Sequence, residues 1–476
     1  MSAITQAPLA AKHVRTVVLV LAWVVGLPTT AVAMTYDEAR HLLGRAGFGG
    51  TAAEIEALAH LAYGVGVNRL LDVTTSKPQS RAPTWVNEPP PDFRKLRSMT
   101  DDERTLFRKQ RRKQTMELKA WWYGEMMQTD SPLTERMTLF WHNHFTSGLR
   151  KVKWPTLMYR QNLLLRRHAL GNFRELLNAV SKDPAMILYL DNQTNRKGKP
   201  NENFARELLE LFTLGEGHYV ERDIKEAARA FTGWMVDHRT GRFRFNLRRH
   251  DVGIKTFMGR TGTFSGDEIL GIVLDQSRVA VHISEKLWRA FISDTPNRRE
   301  VERLAAVFRE SNYEIKPLVR ELLMSPHFRA TELRGTLVKS PVDMLVGTIR
   351  VFHIPMRDGQ VLVRLGRYLG QDLFDPPNVK GWPGGNAWIT TSTLLARQQF
   401  LERLVRGKEM PAPDTFIDRR MRRTAMPVLL EQTSGLTYDN VQRTLLPIPP
   451  VNPVPKDADL RTLIGHLVLD PAYQLK

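Results

Sequence analysis

The 476-residue sequence contains no cysteine. Disulfides, a thiolate nucleophile, cysteine-ligated zinc and a lipid anchor on cysteine are therefore excluded. At this length the chain can bury a large apolar core without covalent cross-links. The sequence also lacks the serine nucleophile elbow, the zinc-protease motif and the dinucleotide-binding fingerprint, each of which would point directly to a reaction.

Long apolar runs are missing after the N-terminal region, so we predict no transmembrane span in the mature chain. Residues 1–33 have the layout of a secretory signal peptide, with cations at Lys12 and Arg15, an apolar run at 17–27 and small residues at 31–33. That run has about half of the roughly 20 residues that a membrane span needs. We predict a periplasmic or secreted protein whose signal peptide is cleaved, with retention as an anchor as the alternative.

Acidic residues are outnumbered, with 50 Asp and Glu against 69 Lys and Arg, and the formal net charge is +19. A chain this basic can attract polyanions. Export argues against nucleic acid as the partner and favours an anionic envelope polymer or lipid headgroups. The alternative is a generally basic surface with no specific partner.

Apolar spacing and helix-start signals predict helices along most of the chain. Alternating Phe243, Phe245 and Leu247 predict a small β-hairpin insertion near 242–258, with His250 and Asp251 around its turn. The predicted fold class is therefore mainly α, a multi-helix exported protein with one small β-hairpin. Composition divides the chain into a signal peptide at 1–33, an N-terminal helical segment at 34–73, a Pro-rich linker at 74–93, a main helical domain at 94–406, and a Pro-rich C-terminal segment with a closing helix at 407–476.

One predicted helix, at 201–214, carries an unusual line of polar side chains. At about 100° per residue, Asn203, Glu207 and Glu210 share one line, and Arg206 lies beside them. We interpret Glu207 or Glu210 as a general acid or base, and Asn203 and Arg206 as ligand-binding residues. The oxygen-bearing side chains could also bind a divalent cation. The structural alternative is a solvated face on which Arg206 pairs with Glu210.

The segment Trp141–Phe145 contains two histidines on a predicted helix. Residues two apart on a helix point about 200° apart, so His142 and His144 are not expected to chelate one metal together. His142 is a candidate catalytic residue. His144 lies on the apolar side of the helix, and its alternative role is that of a core histidine held by a hydrogen bond.

Two loops supply further candidates. In the predicted hairpin, His250 is a candidate catalytic residue, and Asp251 and Lys255 are candidate ligand contacts. The Gly-rich loop 374–385 precedes a predicted helix start, an arrangement that can hold an anion, and it contributes Lys380 and Trp382 as candidate ligand-binding residues. The alternatives are an exposed turn and a rigid loop that packs Trp382 into the core.

These motifs, in this order, resemble the large bacterial family catalogued as domain of unknown function 1800. The matching elements are residues 41–49, 140–145, 201–215, 226–234, 250–255 and 375–382. The resemblance implies an exported protein of unknown activity. Because members often accompany an exported sulfatase- or phosphatase-like family, it also implies an envelope-related task and a sulfatase-like partner protein.

Two functional hypotheses follow. In the first, the protein is a hydrolase or transferase acting on an anionic cell-envelope substrate, with a site where the 201–214 helix meets His142, the His250-Asp251 pair and Lys380. In the second, it is a non-catalytic envelope protein that acts with a partner enzyme, and the polar stripe is a structural network. Convergence of these side chains on one concave pocket favours the first hypothesis.

Overall fold

Helices dominate the computed structural model, which describes residues 32–89, 98–354, 359–406, 435–455 and 457–476. Within this part of the chain, Ala33–Lys476 forms one unit. Apart from its last two positions, the predicted signal peptide lies outside the described residues. So do residues 90–93 of the predicted linker and residues 407–434 of the predicted C-terminal segment.

The prediction of a mainly α fold is confirmed. The α-helices span Tyr36–Ala46, Ala52–Ala59, Tyr63–Asp72, Asp101–Gln128, Pro132–His144, Leu149–Val152, Pro155–Arg167, Phe173–Ser181, Pro184–Tyr189, Asn203–Glu207, Glu221–Ala230, Gly266–Leu274, Ser277–Phe291, Arg298–Glu310, Ile315–Met324, Pro326–Arg329, Pro341–Val351, Gln360–Tyr368, Thr391–Arg406, Val441–Leu445 and Leu460–Leu469. A π-helix spans Leu208–Thr213. Short 3-10 helices span Thr84–Asn87, Asn192–Thr194, Leu247–Arg249, Thr331–Leu333, Gly385–Trp388 and Pro471–Gln474.

Several helices begin at capping boxes, in which a Ser or Thr side chain and an acid three residues later each satisfy a backbone N–H of the first turn. Thr35 and Glu38 start the first helix in this way, and Thr100 and Glu103 start the long helix Asp101–Gln128. Ser340 and Asp343 cap the helix Pro341–Val351. Asp343 is buried and also accepts from basic side chains, so this cap has a second role in the charged interior.

The β insertion consists of two antiparallel hairpins. Strand β1 (Trp234–Asp237) pairs with β2 (Arg242–Phe245), and β3 (Lys255–Phe257) pairs with β4 (Arg260–Gly262). Our prediction of strands in this region is confirmed, but we expected them to pair around His250 and Asp251. The actual second turn lies at Met258 and Gly259, whose φ angles of 48° and 78° suit a two-residue hairpin turn.

Two apolar clusters form the core, and the helix Pro132–His144 contributes to both. Its residues Met137 and Trp141 pack into the cluster built on the segments 36–71 and 204–328. Leu139, on the opposite side, packs into the cluster that contains Trp122, Phe374 and the C-terminal helices. This helix is therefore fixed on two sides, and it supplies one wall of the candidate site.

The described part of the predicted Pro-rich linker packs against the long helix Asp101–Gln128. The backbone N–H groups of Gln79 and Ser80 donate to the Glu125 carboxylate, and the Trp85 ring N–H donates to Glu117 at 2.7 Å. Within the ranges that the structure covers, none of the helices is both long enough and apolar enough to cross a membrane.

Candidate functional site

The predicted helix at 201–214 changes type in its middle. Residues 203–207 are α-helical, and residues 208–213 form a π-helix. The N–H of Leu214 donates to the Leu209 carbonyl at 3.0 Å, which is the i→i+5 spacing of π geometry. This wider turn rotates Glu210 away from the straight line predicted with Asn203 and Glu207. Single π turns inside helices occur frequently at functional sites.

Side chains from other helices bind the free carbonyls at the end of this π-helix. The ring Nε2 of His282 donates to the Leu211 carbonyl at 3.0 Å, and that of His144 donates to the Phe212 carbonyl at 3.1 Å. A carbonyl can only accept, so both rings carry their hydrogen on Nε2. Burial lowers the pKa of His282 to about 4 and that of His144 well below its usual range, so both rings are neutral.

The alternative role of His144, as a core histidine held by a hydrogen bond, is thus confirmed. His282 performs the same task and was not identified from the sequence. The only indication in the sequence is its position one helical turn after Arg278. The Arg278 guanidinium donates to the Leu214 carbonyl at 3.0 Å, at the end of the same π-helix.

The two carboxylates of the stripe have different environments. Glu210 accepts a hydrogen bond from the Tyr219 hydroxyl at 3.1 Å. Glu207 forms no hydrogen bond or ion pair with any described residue, and its Oε2 atom is buried. Burial, and then the nearby charge of Glu210, raise the pKa of Glu207, while Lys380 and Arg206 oppose the rise. Glu207 is therefore the better candidate for a group that gains and loses a proton.

Arg206 and Asn203 lie nearer to solvent. Arg206 pairs with Glu202 at 3.2 Å and with Glu221 at 2.9 Å, and not with Glu210 as the structural alternative expected. Asn203 is exposed, and its side-chain amide lies 3.5 Å from an Asp191 carboxylate oxygen. Exposed ion pairs of this kind contribute about 0–1 kcal/mol to stability.

His142 lies in an aromatic box formed by Trp122, Phe374 and Trp382. Its ring centroid is 5.4 Å from those of Trp122 and Phe374, and 5.6 Å from that of Trp382. Both His142 and Trp382 are buried, and burial lowers the pKa of His142 to about 3. A neutral, enclosed imidazole of this kind suits positioning of the loop more than proton transfer.

The loop that contains Lys380 is attached directly to the helix of His142. The side-chain oxygen of Asn143 accepts from the Trp382 backbone N–H at 2.7 Å, and Gly381, at φ 85°, lies against Asn143. The other end of the loop is held by Asp375, which pairs with Arg150 at 2.8 Å. Two of the motifs found in the sequence therefore meet in the structure.

A cleft of about 720 Å³ opens between this loop, the helix Pro132–His144 and the helix Ser277–Phe291. We refer to this space as the cleft. Its charged lining residues are Arg136, Lys286, Arg289, Asp294, Asp343, Lys380 and Lys476. Five are cationic and two are acidic, so the cleft has a positive potential that favours an anionic ligand.

Lys286 is the least compensated of these cations. It is partly buried, and it makes no hydrogen bond or ion pair with the rest of the described chain. Burial, and then the charge of Arg289, lower its pKa. Lys380 lies 3.7 Å from Glu216 and acts electrostatically on both Lys286 and Glu207, so it connects the carboxylate with the cleft.

Neither Lys286 nor Arg289 was identified from the sequence. They occur on an amphipathic helix, where two cations three residues apart are indistinguishable in sequence from those of any solvated helix face.

The predicted ligand residues of the β insertion form a separate, closed network. Arg229 donates to both carboxylate oxygens of Asp251, at 2.9 and 3.2 Å, and also pairs with Glu226. The Lys255 ammonium is buried and donates to the Asp251 backbone carbonyl at 2.6 Å. His250 Nδ1 donates to the Thr232 carbonyl at 2.9 Å.

Hydrogen bonding to Arg229 keeps the pKa of Asp251 low. The structure thus brings Glu207, Glu210 and Lys380 near one another, and it packs His142 against Trp382 in the loop that contains Lys380. It does not bring His250, Asp251 or Lys255 into contact with this group.

The described residues do not provide a set of ligands for the divalent cation considered from the sequence. Over the residues with defined positions, no three His, Asp or Glu side chains are grouped so that they could hold a metal ion.

Replacing Glu207 with glutamine is expected to raise the melting temperature above neutral pH. A carboxylate whose folded pKa is raised favours its protonated form, so its stabilising contribution is present at low pH and is lost as pH rises through the folded pKa. Glutamine has no carboxyl group to ionise, so the variant does not lose this stability as pH rises. The melting temperatures of the two proteins, measured between about pH 4 and pH 9, should therefore diverge as pH rises.

The control is Glu221→Gln. Its hydrogen bond with Arg206 lowers the pKa of Glu221, so this substitution should lower the melting temperature above the carboxylate's usual pKa. If Glu207→Gln and Glu221→Gln changed stability in the same direction at high pH, our assignment of a raised pKa to Glu207 would be wrong.

Comparison with known proteins identifies one family. The family model described as "Protein of unknown function (DUF1800)" matches residues 41–475. No curated protein and no solved structure matches the chain.

Proposed function

The chain belongs to the DUF1800 family of proteins of unknown function, and we propose that it is an exported hydrolase or transferase that binds an anionic cell-envelope substrate in the cleft. The observation that carries this proposal is Lys286, a partly buried side chain that lines the cleft without a hydrogen-bond or ion-pair partner among the described residues. Even partial removal of a charge from water is unfavourable when no counter-charge compensates it. A ligand anion would supply that counter-charge.

The arrangement around Lys286 suits an anionic group on a larger molecule. Arg289 and Lys380 reach the same cleft, and the adjoining loop presents the apolar ring of Trp388 and the small residues Gly384 and Gly385. Ligand sites typically combine such apolar surface with a few convergent charged groups. At about 720 Å³ the cleft has room for several sugar or polyol units carrying phosphate, sulfate or carboxylate groups.

Glu207 supplies the chemistry in this proposal. Its raised pKa and its free carboxylate allow it to act as a general acid toward a leaving oxygen, or as a general base toward an attacking water or hydroxyl. Lys380 holds the substrate anion beside it. If the proposal is correct, Glu207→Gln lowers turnover by about 10²–10⁴-fold, the usual contribution of such a group, while substrate affinity stays within a few-fold.

The second candidate is a non-catalytic envelope protein that presents an anionic polymer to a partner, such as an exported sulfatase-like enzyme. It is favoured by the ion pairs that occupy Arg206 and Arg229, which leave much of the polar stripe closed. In this case the cleft binds polymer, but Glu207→Gln changes neither the polymer's fate nor the partner's activity. Export, common to both candidates, is tested by the N-terminal sequence of the protein recovered from the cell envelope.

Replacing Lys286 with methionine is expected to weaken polyanion binding about tenfold or more, because one charge-assisted hydrogen bond is worth about 1.5–3 kcal/mol. Binding of dextran sulfate, with neutral dextran as the matched polymer, measures the effect. The slope of log affinity against log salt should also decrease, since fewer counterions are released.

The matched control is Lys316→Met, which removes the same charge from an exposed pair with Asp72 outside the cleft. Equal losses in the two variants would show that dextran sulfate responds only to net charge. That result, or no binding by the unmodified protein, would refute the cleft as the polyanion site.

A further inference from the structure

A second, much smaller cavity lies next to the cleft. It measures about 50 Å³ and shares Asp343 and Lys476 with the lining of the cleft. Its other polar or charged lining residues are Arg40, Lys339 and Thr444. We refer to this space as the Lys339 cavity. Its place in the fold is where the first helix, the start of the helix Pro341–Val351 and the C-terminal residues meet.

Asp343 is the only acidic side chain in the lining, and its oxygens are already engaged. One accepts from the Arg136 guanidinium at 2.5 Å. The other accepts from the Lys476 ammonium at 2.7 Å and from the Ser340 backbone N–H at 3.0 Å. These partners together carry two positive charges against one negative charge, so Asp343 cannot also neutralise Arg40 and Lys339.

Arg40 and Lys339 consequently have no ion-pair partner at contact distance among the described residues, although Asp37 and Asp343 act on them from farther away. Arg40, which is partly buried, forms no hydrogen bond or ion pair with the residues whose positions are defined. The Lys339 ammonium lies 3.9 Å from the centroid of the Tyr473 ring, and it has no anionic partner in the described chain. An ammonium over a ring gains about 0.5–2 kcal/mol, which is less than the cost of burying the charge.

A third cation behind the cavity is also incompletely satisfied. Arg397 is fully buried, and one of its terminal nitrogens donates to the Lys339 carbonyl at 3.0 Å and to the Gln474 side chain at 3.1 Å. Its Nε and Nη2 atoms are buried and have no hydrogen-bond partner among the residues that the structure describes. Buried guanidinium nitrogens rarely remain unpaired unless a group outside the protein chain satisfies them.

We propose that the Lys339 cavity binds a small oxyanion of the phosphate or sulfate class, held by Arg40 and Lys339. A cavity needs about 10–15 Å³ for each water-sized occupant, so 50 Å³ suits a group of a few heavy atoms and not a sugar. A guanidinium and an ammonium on the two sides of a tetrahedral oxyanion are a common protein arrangement for this ligand class.

The charge states are consistent with an anion at this position. Burial, and then the charge of Arg40, lower the pKa of Lys339 to about 7, and burial with Arg136 lowers that of Lys476 to about 8. A bound oxyanion would raise both values and keep both side chains charged. Without one, the interior loses protons as pH rises through these values.

This site does not depend on the proposed cleft function. Either free phosphate or sulfate, or an ester group of the same chemistry on a polymer, could supply the oxyanion. Free ions need only diffuse into the cavity, whereas a polymer-borne group would have to reach it past the Asp343–Lys476 pair that the two spaces share. The experiment therefore includes both sources.

The test measures thermal unfolding of the full chain with inorganic phosphate, against chloride at equal ionic strength. Phosphate should raise the melting temperature of the unmodified protein. Lys339→Met should abolish that rise and, because it removes repulsion with Arg40, should increase the melting temperature in chloride. Arg40→Met should likewise weaken phosphate binding about tenfold or more, the usual worth of a charge-assisted contact.

Lys316→Met, at an exposed pair with Asp72 outside both spaces, is the matched control and should keep the full phosphate effect. Dextran sulfate binding that falls in Lys339→Met would identify the polymer-borne source, whereas unchanged binding would identify the free ion. The proposal is overturned if phosphate and sulfate have no effect on the unmodified protein, or if their effect persists in both Lys339→Met and Arg40→Met. Either result leaves the cleft proposal standing, since that proposal is tested through Lys286.

Discussion

Replacing Arg166 with methionine is expected to lower the free energy of unfolding by about 3–5 kcal/mol, the usual cost of removing one partner from a buried ion pair. Arg166 is 1% exposed and donates to both oxygens of Glu135, at 2.6 and 2.8 Å. Glu135 is equally buried and also accepts from the Trp122 ring N–H at 2.9 Å. Without the guanidinium, this carboxylate keeps one neutral donor and no counter-charge. Urea denaturation near neutral pH measures the loss.

The comparison that isolates the ion pair is the double variant Glu135→Gln with Arg166→Met. Because it removes both charges, it should recover a large part of the lost stability. Arg298→Met, at a side chain that is 92% exposed, should change stability by no more than about 0.5 kcal/mol. A loss below about 1 kcal/mol in Arg166→Met would contradict the assignment of this pair as a buried determinant of stability.

Gly381→Ala is expected to cost about 2–5 kcal/mol and to weaken polyanion binding in the cleft. The φ angle of Gly381 is 85°, and a side chain in such a conformation costs about 1–2 kcal/mol. A Cβ atom would also lie 2.7 Å from the Asn143 backbone oxygen and would contact its side-chain oxygen, and overpacking of this kind costs about 1–3 kcal/mol. Relief of the clash would move the loop that carries Lys380.

Gly384 offers a control in the same loop. Its φ angle is 73°, but a Cβ atom there would meet nothing within 4 Å. Gly384→Ala should therefore show only the conformational cost of a side chain at φ 73° and ψ −174°, about 1–3 kcal/mol. Comparing the two variants by urea denaturation separates backbone strain from the contact with Asn143. Equal losses would show that the contact contributes nothing.

Features that depend on local sequence were predictable. Helices with capping residues such as Thr35 and Ser340 appear where apolar spacing placed them, and the ordered motifs identified the family that matches residues 41–475. The two-hairpin insertion was only partly predicted, because strand alternation indicates which residues are extended but not which strand is the partner. The turn at Met258 and Gly259 lacks the residue pairs that usually indicate a hairpin.

Features that depend on distant residues were not predictable from one sequence. The π-helix at 208–213 is held by His144 and His282, which lie 68 and 71 residues away from the carbonyls they bind. Likewise, Glu207 is distinguished from Glu210 only by what surrounds it in three dimensions. Lys286 and Lys339 stand out because neither ammonium has a hydrogen-bond or anionic partner in the described part of the chain, and sequence periodicity carries no information about an absent partner.

The double attachment of the helix Pro132–His144 determines how the cleft should behave over time. Because this helix packs into both apolar clusters, its amide hydrogens should exchange with solvent only when most of the protein unfolds. Asn143 extends that protection to the backbone N–H of Trp382 on the neighbouring loop. One wall of the cleft therefore has little conformational entropy left to lose, so more of the attraction between cations and ligand is retained as affinity.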